Sequence, residues 1–384
     1  MKSAAKKQRA QAVFGSAGYG RSHRGFTMVE LLVAAAITVM LAAFIAEIVR
    51  NVGAIWARAG GRLGADAQAR IVLDQLQLDL QGALYRDDGN VWLAADVLNG
   101  ATGNSTGLWR TATGIGKPEG GLSLQMAPEN MPDARFGTAG VWLRFFTTSR
   151  GVNVPGAPES LPAPVAVGYQ IIRRFTATNP AGVATAYLLH RAEVRPAAVD
   201  DGIVRPGVLE SGYDITGTAY QGEPTASNNG AVTGDPLGVL APGSDATAPR
   251  NLDAVIADNV IDFGIRCYVR DAKAPGGLRL VFPARDAGGQ PGNDPGATLR
   301  GRLPTLTPPD ASNYNSVFPE VVDIMIRILT RDGAALIAGI ESAQSPVPAA
   351  PSKYNRSGQQ WWWGIAQENS RVHTRRIVMP AASR

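Results

Sequence analysis

Cysteine is nearly absent: Cys267 is the single thiol in 384 residues. An intramolecular disulfide is therefore excluded, and so is any site built on a cysteine cluster. Histidine is almost as scarce, with only His23, His190 and His373, and no His-x-x-x-His pair occurs. Zinc chemistry has no ligand set to work with. No acidic residue precedes Glu30, and one apolar run alone is long enough to cross a bilayer. No internal repeat is visible. Three hundred and eighty-four residues suit two average domains or one large one with insertions.

The charge balance misleads at first reading. A pI near 9.4 and a formal charge of +5 point toward nucleic acid. Yet six of the 37 basic residues, Lys2, Lys6, Lys7, Arg9, Arg21 and Arg24, lie within the first 25 positions. The rest of the chain holds 31 basic residues against 32 acidic ones, close to −1. The basicity belongs to a leader, and no nucleic-acid partner is expected. Basic residues before a first span also hold that side in the cytoplasm, although Arg50, Arg58 and Arg62 beyond it weaken the bias.

What is present in strength is the run from Phe26 to Ala46, whose single charge is Glu30. At about 1.5 Å per helical residue, some twenty residues span the roughly 30 Å hydrocarbon core of a membrane. A secretory signal peptide is the competing reading, with Ala34-Ala35-Ala36 imitating its cleavage site, but the apolar run continues well beyond it. A lone carboxylate in a lipid-facing helix is costly and needs a partner or a function. Snorkelling to the headgroups is the bland explanation of Glu30.

Arg24-Gly25-Phe26-Thr27-Met28-Val29-Glu30-Leu31-Leu32-Val33 resembles the processing site of the type IV prepilin family. That resemblance implies cleavage after Gly25 by a prepilin peptidase and N-methylation of Phe26. It further implies assembly with other pilin or pseudopilin subunits into a filament anchored in a bacterial inner membrane. Cleavage would create an ammonium at Phe26 about one helical turn from Glu30, so the carboxylate of one subunit can meet the ammonium of its neighbour.

Downstream, the helix is expected to continue to residue 86. Gly53, Gly60, Gly61 and Gly64 each disfavour helix by up to about 1 kcal/mol, which predicts a kink or melted segment there. Leu73, Leu76, Leu80 and Leu84 then recur on one face, as a helix packed on a sheet requires. Asp87-Asp88-Gly89-Asn90 supplies turn chemistry. Strands are expected at 141–148, 165–172, 186–194, 261–270, 317–329 and 372–380, with the second and third forming a hairpin. Asp200 to Arg250, rich in Gly, Pro, Ala, Asn and Thr, reads as a long surface excursion.

The order of signals in this head resembles the large minor pseudopilins of the J type in type II secretion, and the W-type minor pilins. It runs through Leu76, Asp79 and Leu80, then Gly168-Tyr169, then Leu188, Leu189 and Arg191. Ala257-Asp258-Asn259-Val260, Pro319 with Val322, and Thr374 to Ile377 follow. The Trp56 region and the tail also look like prepilin-like cassette proteins of the Verrucomicrobia.

Other chemistry is weakly signalled. Gly103-Asn104-Ser105-Thr106-Gly107 matches a nucleophile elbow in letters, but loop-like flanks and the scarcity of histidine argue against a hydrolase. Asp87, Asp88 and Asn90, and Asp286, Asn293 and Asp294, are acidic loops of a kind that holds calcium in some pseudopilins; Asx-rich turns more commonly serve the backbone. No metal or cofactor is assigned. Trp361-Trp362-Trp363 cannot all face one side of a strand, so one or two are expected to be buried with hydrogen-bonded indoles as an aromatic plug under a loop, or else to form a docking patch for a subunit or exported substrate. Lys353, Arg356, Arg371, Arg375 and Arg376 nearby raise the idea of a grip on single-stranded DNA, which the near-neutral charge opposes.

The expected protein is α+β and non-enzymatic, with a long N-terminal transmembrane helix packed on an antiparallel β-sheet head. Its parts are a basic leader at 1–25, a helix at 26–86 with 26–46 in the membrane, and a head at 87–384 with its insertion around 200–250. The function expected is a minor pseudopilin of a type II secretion pseudopilus or pilus-like filament, single-pass, with cytoplasmic N-terminus and periplasmic head. A surface adhesive or DNA-binding minor pilin is the alternative.

Overall fold

The computed structural model describes residues 26–97, 116–118, 135–136, 139–148, 164–175, 185–194, 215–216, 255–283, 298–305, 315–349 and 361–379. The chain divides into two compact units, Met1–Ala57 and Arg58–Arg384. The leader, Ser105 and almost all of the 200–250 excursion lie outside the described residues.

Helix α1 runs from Met28 to Gln81 as one element. No melted segment interrupts the helix at Gly53, Gly60, Gly61 or Gly64. Glycine weakens a helix through backbone entropy but keeps its N–H and C=O in the ladder. The helix also ends five residues earlier than expected. Ala83 forms an isolated bridge to Thr147 instead, and Gly82 sits so close that an added Cβ would meet Thr147 Oγ1 at 2.7 Å.

In the second unit, Ala65, Ala69, Val72, Leu73, Leu76 and Leu80 of α1 are buried, at spacings of three and four. Each fully buried leucine of such a stripe contributes about 1.5–3 kcal/mol. The stripe begins eight residues earlier than the leucines alone suggest, because the alanines at 65 and 69 let the helix approach closely. Leu84, beyond the helix, is only partly buried.

The strands are β1 (Leu93–Val97), β2 (Val141–Thr148), β3 (Pro164–Phe175), β4 (Thr185–Val194), β5 (Val255–Asp258), β6 (Val260–Arg270), β7 (Leu278–Phe282), β8 (Thr298–Gly301), β9 (Val321–Leu329) and β10 (Ser370–Val378). They make two antiparallel sheets, ordered β5-β4-β3-β2-β1-β8 and β10-β9-β6-β7. β3 and β4 pair antiparallel, as the hairpin reading requires. β6 lies against β2, β3 and β4 of the larger sheet, and a single apolar core joins the two.

The chain changes sheets at one residue. β5 ends at Asp258 in the larger sheet and β6 starts at Val260 in the smaller. Asn259 between them has φ of 59°, the left-handed region that asparagine tolerates better than other non-glycine residues. Its carbonyl accepts a hydrogen bond from Leu329 N–H at 2.9 Å.

Two short helices complete the described head, α2 (Arg331–Glu341) and α3 (Trp361–Glu368). Thr330 caps α2 by accepting from Gly333 N–H. The three tryptophans thus stand on a helix, not a strand. Trp362 and Trp363 are buried and Trp361 is only partly so. A helix sends adjacent side chains about 100° apart, so three indoles find separate surroundings that a strand would not offer.

Candidate functional site

The N-terminal element is built around a short-range hydrogen-bond exchange. Thr27 precedes the first turn of α1, and its Oγ1 accepts from Glu30 N–H at 3.2 Å. Glu30 reaches back, and its Oε2 accepts from Thr27 N–H at 2.9 Å and from the Thr27 hydroxyl at 3.0 Å. This is a capping box, which satisfies backbone donors that the helix itself leaves unpaired. The carboxylate also lies at the positive end of the helix dipole. Glu30 Oε1 makes no hydrogen bond within the described residues. Phe26 is 85 % exposed. The Thr-x-x-Glu spacing is a readable capping signal that the processing-site reading passes over.

Behind this turn, Leu31, Leu32, Val33, Ile37, Met40, Leu41 and Phe44 are exposed. α1 is long and apolar enough to cross a membrane, and its apolar window is exposed. Leu32, Ala35, Ala36, Val39, Met40 and Ala43 line a shallow groove on one helix face. Small residues at such spacing let a second helix approach closely, which is how helices associate in lipid.

In the head, three residues drawn from separate stretches of sequence meet. Asp79 of α1 accepts hydrogen bonds from the Tyr169 hydroxyl on β3 and from Arg191 Nε on β4 at 2.7 Å. Gln75 Nε2 donates to its other oxygen at 3.0 Å, and Thr147 Oγ1 donates to its main-chain carbonyl at 2.8 Å. Burial, and then the Asp79 charge, hold the Tyr169 phenol well above its ordinary range. Arg375 of β10 donates to Asp74 at 2.6 Å and to Gln77 at 3.0 Å, further tying the helix to the small sheet.

The tryptophan group is part of the core. Glu341 at the end of α2 accepts from Trp362 Nε1 at 2.8 Å, Tyr187 hydroxyl at 2.7 Å and Arg173 Nη2 at 2.6 Å. Burial and the Glu341 charge push the Tyr187 phenol well up. Trp363 Nε1 is buried with no acceptor among the described residues.

The remaining sites of interest are structural where described. Asp88 Oδ1 accepts from Asn90 N–H at 3.0 Å and from Trp92 Nε1 at 2.9 Å, an Asx turn serving the backbone and an indole. Among the described residues no group of three or more His, Cys, Asp or Glu side chains converges as a metal site. The second acidic loop, with Asp286, Asn293 and Asp294, lies outside the described residues. His190 is buried on β4. His373 stands on β10, 3.4 Å from Asp66 of α1. Cys267 is buried in β6, where burial pushes its thiol up, leaving it an inert core residue.

Capped carboxylate, exposed residue 26 and apolar helix lie together at the start of α1. Residues 20–46 match the family model described as the prokaryotic N-terminal methylation motif. No curated protein matches the chain, and no solved structure does. The chain is accordingly pilin-like, fitting a single-pass membrane anchor, and the motif implies processing by a prepilin peptidase and assembly with other pilins.

Proposed function

We propose that the protein is a non-enzymatic minor pseudopilin, cleaved after Gly25 and N-methylated at Phe26. It sits in a bacterial inner membrane with its N-terminus cytoplasmic and its head periplasmic. The observation that carries this reading is the Thr27–Glu30 capping box. It holds a carboxylate at the first turn of an exposed apolar helix, one oxygen engaged and one free, beside the residue that processing converts to an ammonium. In an assembled filament the free oxygen accepts from the Phe26 ammonium of a neighbouring subunit. Each charge then offsets the desolvation of the other.

The head, with two sheets and two added helices, is large for a repeating shaft subunit. Its bulk suits a position at a filament tip, where no further subunit stacks above it. Type II secretion pseudopili and related pilus-like filaments are the assemblies with such a position.

The test is the N-terminal mass of membrane-extracted protein beside a Glu30→Ala variant. A wild-type chain starting at methylated Phe26, with Glu30→Ala processed but absent from sheared filaments, is the expected result. Cleavage near Ala36 would make the protein an ordinary exported one and end the pseudopilin reading.

A further inference from the structure

β10 is the outermost strand of the smaller sheet, and among the described residues no strand pairs with its far edge. Its pairing with β9 runs from Ser370 to Val378 without a register shift. At its two ends the Asn369 carbonyl accepts from Thr330 N–H, and Met379 N–H donates to the Glu320 carbonyl. Both bonds point to the β9 side. Antiparallel pairing alternates, so the odd-numbered residues between them face β9. Ser370, Val372, Thr374, Arg376 and Val378 therefore turn their N–H and C=O groups outward, in an unbroken row. Arg371, Thr374, Arg376 and Val378 are exposed, which leaves the approach to that row open.

Such a row templates the addition of another strand, and proteins blunt it with short strands, bulges, proline or charge. The other three sheet edges use the first three devices. β5 and β8 have four residues each, β5 meets β4 across a register shift, and β7 meets β6 across another and runs into Pro283. β10 relies on charge alone. It carries Arg371, His373, Arg375 and Arg376 and no acidic residue. Asp74 holds Arg375 and Asp323 holds Arg376, whereas Arg371 makes no ion pair with the described residues. Charge of one sign turns away a like strand, since like charges side by side across a ladder are destabilising. It admits a strand of the opposite sign.

We propose that β10 accepts an extended acidic segment of another protein as an added strand. Main-chain hydrogen bonds along the outward-facing residues supply the attachment, and carboxylates beside Arg371 and Arg376 supply the selection. The surface lies within the head, so it stands or falls separately from the pilin reading.

Fluorescence anisotropy tests this, using the full chain in detergent and a labelled peptide as long as β10 that alternates valine with glutamate. Saturable binding is expected. The same peptide N-methylated throughout, which cannot donate to the edge, should bind about tenfold more weakly or worse, and so should a peptide with lysine in place of glutamate. Thr374→Pro removes an outward donor, a change that an edge strand tolerates where the N–H faces solvent. It should weaken the peptide to a similar degree and leave the urea midpoint of the head in place. The peptide comparisons on wild-type protein decide the matter even where that variant fails to fold. Absence of saturable binding, or equal binding of the N-methylated peptide, would overturn strand addition. Equal binding of the lysine peptide would overturn the acidic class. Displacement of the peptide by oligothymidine would assign the edge to nucleic acid, and a dimer of the chain that Thr374→Pro dissolves would make a second copy the occupant; either would overturn the proposal.

Discussion

The carboxylate of Asp79 on α1 accepts the hydroxyl hydrogen bond of Tyr169 on β3, 90 residues later in the chain. Arg191 on β4 joins them, so one acidic side chain fastens the helix to two adjacent strands of the larger sheet. Asp79→Ala would leave a phenol and a guanidinium without their acceptor in the core. A loss of about 3 kcal/mol is expected, read as a lower urea midpoint of the head. Tyr169→Phe keeps the Asp79–Arg191 pair and should lose about 1 kcal/mol. Equal losses from both would show that the ion pair contributes nothing.

Thr27 sets the geometry of Glu30. Thr27→Val removes the hydroxyl from the capping box while retaining the size of the side chain. Processing after Gly25 should proceed, and filament incorporation should fall toward the Glu30→Ala level. Quantitative blotting of sheared filaments checks this, and incorporation equal to wild type would remove Thr27 from the assembly element.

Asn259 should tolerate glycine and reject valine. Its φ of 59° is open to glycine and strained for a β-branched side chain, by about 1–3 kcal/mol. Thermal unfolding of Asn259→Gly and Asn259→Val would separate them. An equal melting point for both would show that the sheet switch relaxes without strain.

The tryptophans should divide. Trp362→Ala removes a fully buried ring and one of three hydrogen bonds to Glu341, at a cost of about 3–5 kcal/mol. Trp361→Ala, at a partly buried position, should cost far less and keep the near-ultraviolet circular dichroism of the head. Filament incorporation of Trp361→Ala then tests the docking role, since the head stays folded.

His373 gives the head a pH dependence of defined sign. Burial, reinforced by Arg371 and opposed by Asp66, lowers its pKa from 6.5. The folded state therefore binds its proton less readily than the unfolded chain. The contribution is complete above pH 6.5 and is lost as pH falls through the lowered folded value. His373→Gln should flatten the stability profile across that window, and an unchanged slope would assign it to other groups.

Much of this was legible in the chain, for identifiable reasons. The methylation motif and the apolar run are local, so the match at residues 20–46 and the long N-terminal helix can be read directly. β2 follows its alternation from 141 to 148, and six expected strands have counterparts. Asp79, Tyr169 and Arg191 appear in sequence only as scattered signals, and their meeting is a product of register. β1, β5, β7 and β8, at four or five residues each, carry too few positions to show a period. α3 escaped because tryptophan favours strands by propensity, while here burial against Glu341 and Tyr187 decides. The unbroken helix through four glycines has the same lesson: propensity is a weak term beside an intact hydrogen-bond ladder.

The pairing of β10 with β9, and of Arg375 with Asp74 across 301 residues, sets a condition on how the protein matures. The apolar stripe of α1 emerges early in synthesis, yet part of its cover is made only after nearly the whole chain has been made. Loop closure over such a distance is slow. During that interval the stripe is bare. A chaperone or a neighbouring subunit meeting the protein then sees an unfinished surface, and a product cut short before β10 never hides it. Completion of the head thus reports that nearly the full length of the chain has been made.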